Sequence, residues 1–148
     1  MANPVCELLR TKDELERPLP SPDGSAGAVL DFHGVVRGTE NGRTIRGIDY
    51  EAHPVMAKHQ LTLIAEQAIE RFRLTTTVIR HRTGFVAVGE ASLLVRVAAA
   101  HRQAALEAMA WLVDQLKKKV PIWKHPQVYA AEPVPAGKNI EVEEGVRK

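Results

Sequence analysis

The chain has 148 residues, about one domain, with 45% apolar and 26% charged side chains. That balance excludes a wholly disordered chain, a collagen-like repeat and a disulfide scaffold, and the 5% aromatic content leaves Leu, Ile, Val and Ala to build the core. A net charge of +2 is too small to mark a nucleic-acid binder, where clustered Lys and Arg are expected, but it leaves small anionic ligands open.

The opening stretch, MANPVCELLRTKDELER, lacks the apolar centre of a secretory signal. The longest near-apolar run, residues 93–100, is interrupted by Arg96 and is far short of the roughly 20 residues of a membrane span. Cys6 is the only cysteine, so no intramolecular disulfide forms, which fits a reducing cytoplasm.

Residues 5–9 read as a strand. Thr11 and Glu14 match a capping box, in which each satisfies an orphan donor of the other at a helix start. Pro18, Pro20 and Pro22 end that short helix. Residues 28–37 alternate as a strand whose Leu30, Phe32, Gly34 and Val36 face is the more apolar. Asn41-Gly42 is a hairpin-type turn signal, with a partner strand over residues 44–51. Pro54 suits the first turn of a helix. Ala57, Leu61, Ile64, Ala65, Ala68, Ile69 and Phe72 recur at three- and four-residue steps and predict an amphipathic helix to about Arg73. Strands are predicted over residues 75–82, 84–90 and 92–98. A second long helix is predicted over residues 101–119, with Ala105, Met109, Leu112 and Leu116 inward, and Pro121 stops it. Residues 122–129 read as a returning strand. Hairpins beside two long helices favour α+β, a mixed or antiparallel sheet, over a doubly wound parallel one. Residues 1–129 form a single domain in this reading. Residues 130–148, rich in Pro, Gly and Glu without periodicity, read as a flexible tail.

No phosphate loop, dinucleotide fingerprint or nucleophile elbow is present. The six histidines form no i,i+4 pair, and with one cysteine a zinc site finds little support. Cys6 reads as a small, partly buried residue rather than a nucleophile. The helix start at His101-Arg102 follows three alanines and lacks a Ser, Thr or Asp cap. Two readings stand there. Either His101 caps a solvated helix end, or an external anion is held by bare N–H groups, Arg102 and His101. Lys117-Lys118-Lys119 complements the negative end of the same helix. Lys117 differs because it borders the apolar stripe after Leu116, where partial burial would lower a lysine pKa and make it a usable acid, base or nucleophile. Lys124 follows Trp123 beyond the Pro121 stop, so the chain can fold Lys117 and Lys124 toward one pocket. Arg37, before a Gly turn, is a third candidate cation.

Taken in order, these segments resemble the large, catalytic subunit of molybdopterin synthase. The resemblance rests on Phe32-His33-Gly34-Val35-Val36-Arg37-Gly38 and on Tyr50-Glu51-Ala52 before Pro54 and Met56. It continues through His81-Arg82-Thr83-Gly84 and Val88-Gly89-Glu90-Ala91-Ser92. It ends with Ala100-His101-Arg102, Leu116-Lys117 and Val120-Pro121-Ile122-Trp123-Lys124. It spans about residues 26–125. It implies an α+β fold with a hammerhead-type β motif and conversion of cyclic pyranopterin monophosphate into molybdopterin, in a step that uses no metal or other cofactor. The sulfur donor is a thiocarboxylate on the tail of a small ubiquitin-like subunit. Large subunits pair as a homodimer within a heterotetramer, in the cytoplasm, with no nucleic-acid or membrane partner.

The resemblance places the family's two essential lysines on Lys117 and Lys124. Its anion-binding residues fall on Arg37, His101 and Arg102, and Phe32 lines the pterin pocket. The segment after the second lysine, which borders the substrate in the family, reads His125-Pro126 here instead of a basic residue and Glu. Val35 stands where some relatives carry a basic residue. The alternative to an enzyme is a non-catalytic module of the same fold that holds an anionic small molecule or a partner tail.

Overall fold

In the computed structural model, which describes residues 3–129, the chain runs β1 (Val5–Leu9), α1 (Lys12–Leu15), β2 (Ala28–Val35), β3 (Thr39–Glu40) and β4 (Arg43–Ala52). It continues through α2 (Pro54–Phe72), β5 (Thr76–Arg82), β6 (Gly84–Ala87), β7 (Ala91–Ala99), α3 (Arg102–Lys119) and β8 (Ile122–Val128). This is the expected α+β architecture, hairpins and two long helices included. The tail expected over residues 130–148 lies outside the described residues.

The first sheet has the order β1-β5-β7-β2. β1 is parallel to β5, and the other pairings are antiparallel. Strand alternation gives it two distinct faces. Leu30 and Phe32 of β2, Ile79 of β5, and Val95 and Val97 of β7 join the core under α2 and α3. The helices close that core with Ala57, Leu61, Ile64, Ala65 and Ala68 from α2 and Ala105, Ala108, Met109, Leu112 and Leu116 from α3. Each fully buried large aliphatic side chain there contributes about 1.5–3 kcal/mol. The opposite face carries Arg80, which donates to the carbonyl oxygens of Leu15 (3.0 Å) and Arg17 (2.7 Å) and to Glu7 Oε1 (3.3 Å). α1 and the segment after it are thereby tied to the sheet.

A second sheet has the order β3-β4-β6, with β8 also paired to β4. The strand over residues 44–51 does not pair with the long strand before the turn as expected. β2 pairs with β7 in the first sheet, and the hairpin partner of β4 is the two-residue β3, which goes beyond the predicted elements. Asn41 (φ 53°) and Gly42 (φ 78°) both adopt positive φ, as a two-residue hairpin turn requires. That turn sets Thr39 against Thr44 in a two-pair ladder, too short to leave a periodic signal.

α2 begins with His53 as its cap, Nδ1 accepting from the Met56 N–H at 3.2 Å, and Pro54 in the first turn. It ends at Arg73, which takes the left-handed conformation at φ 57°, a position more often held by Gly. α1 carries the predicted capping box between Thr11 and Glu14. Among the described residues no helix is long and apolar enough to cross a membrane.

Candidate functional site

The C-terminal half of β2, the last turn of α3 and the first residues of β8 meet across the gap between the two sheets. β7 runs directly into α3, so α3 packs back over the sheet and its final turn returns to the level where β7 began. Pro121 breaks the helix, and β8 then pairs with β4, setting Lys124 opposite Tyr50 and His125 opposite Asp49. A cleft of about 1330 Å³ opens between these elements, and Phe32, Arg37, Lys117, Trp123, Lys124 and His125 are among its lining residues. It is larger than the roughly 300–1,000 Å³ of most small-molecule pockets and has room for a compact ligand together with an extended chain end.

Five of the residues singled out in the sequence are therefore neighbours in one cleft: Phe32, Arg37, Lys117, Lys124 and His125. Lys117, Lys124 and Arg37 are all exposed. Lys117 does not have the partial burial that its place beside the apolar stripe suggested, because Leu116 turns into the core while Lys117 turns out into the cleft. His125 Nε2 donates a 2.9 Å hydrogen bond to Glu51 Oε1 across the β4–β8 ladder. Lys118, one residue from Lys117, forms an i,i+4 pair with Asp114 at 3.0 Å and is not among the residues lining the cleft.

His101 and Arg102 do not line this cleft. Ala28 of β2 lies opposite Ala99 of β7, so His101 sits beside the start of β2, whereas Arg37 follows its end. Seven residues of strand separate those ends by roughly 23 Å, and the fifteen residues of helix between Arg102 and Lys117 span roughly 22 Å. A single anion site built from Arg37, His101 and Arg102 of one chain is thus not formed. At the helix start His101 occupies the N-cap position but its side chain makes no hydrogen bond to the first turn, so the ring does not cap the helix.

The cleft floor holds a polar group that composition and motif reading did not single out as functional. His81, Tyr50 and Ser92 line it. The Ser92 hydroxyl is 3.1 Å from the Tyr50 hydroxyl, and the Tyr50 and His81 rings meet edge-on with centroids 5.2 Å apart. Burial, with the Lys124 charge adding to it, pushes the His81 pKa down to about 4. The available signal was the alternation in residues 75–82, which puts Thr77, Ile79 and His81 on the core side of the strand and Arg80 and Arg82 on the other.

Arg82 faces away from the cleft and donates to Glu90 Oε1 at 2.9 Å, which holds the Glu90 carboxyl below its ordinary range. This bond ties the end of β5 to the β6–β7 turn. Cys6 is 7% exposed, and burial pushes its thiol up to about 11. It stays a thiol at neutral pH and is no nucleophile. Among the described residues no group of three or more His, Cys, Asp and Glu side chains is placed to hold a metal ion.

A family model described as MoaE protein matches residues 8–119. The chain is 43% identical over 100 residues to a molybdopterin synthase catalytic subunit of Pyrococcus abyssi, covering 68% of each chain. Its fold superposes on the crystal structure of molybdopterin synthase from Staphylococcus aureus with a TM-score of 0.71 at 29% identity, covering 87% of this chain and 92% of that one. A complex of subunits 1 and 2 of molybdopterin-converting factor from Helicobacter pylori contains a chain of the same fold, with a TM-score of 0.61 at 22% identity, covering 88% of this chain and 90% of that one.

Proposed function

The chain belongs to the MoaE protein family and is a catalytic subunit of the molybdopterin synthase kind, a sulfur-transferring enzyme of molybdenum cofactor biosynthesis; from that premise we propose that the cleft between β2, α3 and β8 is its active site. The observation that carries this reading is the convergence of Arg37, Lys117 and Lys124 on one cleft that also holds Phe32 and Trp123. A cyclic pyranopterin monophosphate brings a phosphate and a flat heterocycle. The tail of a thiocarboxylated small subunit brings a second anion. Three cations gathered in one cleft offset the repulsion between the two anions and stabilise charge that moves in the reaction. Phe32 and Trp123 supply apolar surface for the heterocycle.

In this reading the thiocarboxylate sulfur attacks a side-chain carbon of the pterin. The C–S bond forms as a C–O bond at that carbon breaks, the oxygen leaves as a phosphate oxygen or, protonated, as water, and the tail becomes linked through a thioester. Water then cleaves the thioester, which releases the tail as a carboxylate and leaves the sulfur on the pterin. A second tail repeats the transfer to complete the dithiolene. Lys124 faces the thiocarboxylate and stabilises negative charge on its oxygen. Lys117 carries the proton to and from the pterin side chain. His125, held by Glu51, borders the substrate beside Lys124.

His101 and Arg102 bind substrate anion in this scheme from a second copy of the chain. Within one chain they stand at the far end of α3, and both are exposed. A two-fold dimer can set that corner of one copy at the mouth of the other's cleft, and the small subunit then occupies each outer end as a heterotetramer. Reaction of the chain with a thiocarboxylated small subunit and cyclic pyranopterin monophosphate tests the whole reading. Dithiolene product is the expected result. Binding of both partners without product would leave the cleft as a holding site and overturn the catalytic assignment.

A further inference from the structure

The segment His81-Arg82-Thr83-Gly84 contains one side chain that the scheme above does not use, although it lines the same cleft as Lys117 and Lys124. His81 Nδ1 lies 2.7 Å from the backbone carbonyl oxygen of Arg82. A carbonyl oxygen only accepts, so Nδ1 carries the ring proton. In the neutral ring Nε2 is then left as a bare acceptor. The ring is also held in orientation: Tyr50 meets it edge-on at 5.2 Å and 73°, and the Tyr50 hydroxyl is itself tied to Ser92. A pKa pushed down to about 4 by burial keeps the imidazole neutral at physiological pH.

The charged side chains of the cleft, Arg37, Lys117 and Lys124, offer only donors. They match phosphate and thiocarboxylate, which only accept. They do not match a pterin ring, whose amide-type N–H and amino groups are donors. His81 adds a fixed acceptor beside those cations. We propose that Nε2 of His81 accepts a hydrogen bond from a ring N–H of the bound pterin, and that this bond orients the heterocycle so that its side chain faces Lys117 and Lys124. The proposal rests on the reading of the cleft as the substrate site and makes His81 a positioning residue.

Two substitutions separate the two ring nitrogens. In His81→Asn the amide N–H stands near the place of Nδ1 and keeps the bond to Arg82, but no acceptor remains at Nε2. In His81→Gln the longer side chain can place its amide oxygen near Nε2. Binding of cyclic pyranopterin monophosphate to the full chain is measured by calorimetry, beside melting temperature and dithiolene formation with the thiocarboxylated small subunit. His81→Asn is expected to raise Kd about tenfold with little change in melting temperature, and His81→Gln to stay within about threefold of the parent. Parental affinity in His81→Asn, or equal loss in both variants, would overturn the proposal. Should His81→Asn fail to fold, nitrogen NMR of the parent chain decides: the Nε2 resonance is expected to move upfield when substrate binds, and an unmoved resonance refutes the bond. If the parent chain itself neither binds the pterin nor forms product, the reading of the cleft falls first and takes this proposal with it. Parent activity with an indifferent His81 sinks the proposal alone.

Discussion

Arg96 grips Asp31 from the directly opposite position of the β2–β7 ladder, with Nε and Nη2 donating to the two carboxylate oxygens at 2.6 and 2.7 Å. Arg96 also donates to the carbonyl oxygen of Pro20 at 3.1 Å, so one guanidinium joins two strands and the loop that covers them. The hydrogen bonds hold the Asp31 carboxyl below its ordinary value of 3.8. The folded state therefore binds fewer protons than the unfolded state around and below that pH. Its stabilising effect is complete above about pH 5 and is lost as pH falls through 3.8 toward the lower folded value. Asp31→Asn is expected to destabilise the fold by about 1–2 kcal/mol at pH 7 and by progressively less in acid. Urea unfolding at pH 7 and pH 3.5 checks both statements.

Lys117→Ala and Lys124→Ala are expected to lower dithiolene formation by about a hundredfold or more, since placed charge and proton transfer each contribute on that scale. Both side chains are exposed, so melting temperatures should move little, by the equivalent of about 0.5 kcal/mol or less. Lys118→Ala serves as the control. It removes only the exposed pair with Asp114 and should leave activity near that of the parent. Equal behaviour of the three variants in parallel assays would remove the lysine pair from the mechanism.

His81 gives the stability a second dependence on pH. Its folded pKa of about 4 lies below the ordinary 6.5, so the unfolded chain takes up a proton between those values and the folded chain does not. Stability should thus fall as pH drops from about 6.5 to 4, by an amount of order 2 kcal/mol. The groups that bear on this titration are Lys124 from β8 and Tyr50 from β4, together with the Arg82 carbonyl oxygen. Replacement by Gln abolishes this component. Between pH 7.5 and 4.5 the melting temperature of the parent should fall relative to that of His81→Gln.

Copies that differ in the residue they lack test whether the site is shared. An Arg102→Ala chain and a Lys117→Ala chain should each be inactive alone. A heterodimer of the two rebuilds one intact site out of two, so random mixing should recover about a quarter of parental activity. Activity no higher than that of either parent variant would return His101 and Arg102 to a role within their own chain. Light scattering of the chain alone should give a dimer at micromolar concentration.

Much of this was legible in the sequence because each element carries its own local signal. The capping box at Thr11 and Glu14, the Asn41-Gly42 turn, Pro54 at a helix start and Pro121 at a helix end each act over a few residues, and their elements formed where predicted. The convergence of Lys117 and Lys124 could be read because only a proline-stopped turn separates them. Other features lie beyond such short range. The distance between Arg37 and Arg102 is set by the length of β2 and the direction of α3, neither of which local spacing reports. Arg80 is 6% exposed because Glu7 and the carbonyl oxygens of Leu15 and Arg17, far away along the chain, satisfy it, whereas composition alone assigns arginine to the surface. His81 was visible only as part of a motif. Its tautomer is set by the carbonyl oxygen of the next residue, but its confinement depends on Tyr50, 31 positions earlier and brought close where β4 pairs with β6.

The strand order β1-β5-β7-β2 also constrains how the polypeptide reaches this state during synthesis. β1 and β2 leave the ribosome first, yet they occupy opposite edges of the sheet and touch only the strands that arrive later. Neither can be paired until residues 76–99 have been made. The early chain must therefore wait with two strands unpaired, and each ladder closes by loop formation over more than fifty residues. Such non-local closure favours folding in the slower millisecond-to-second range rather than the microseconds of a helical bundle. It also makes the half-made chain, more than the finished one, the species most exposed to unwanted strand pairing.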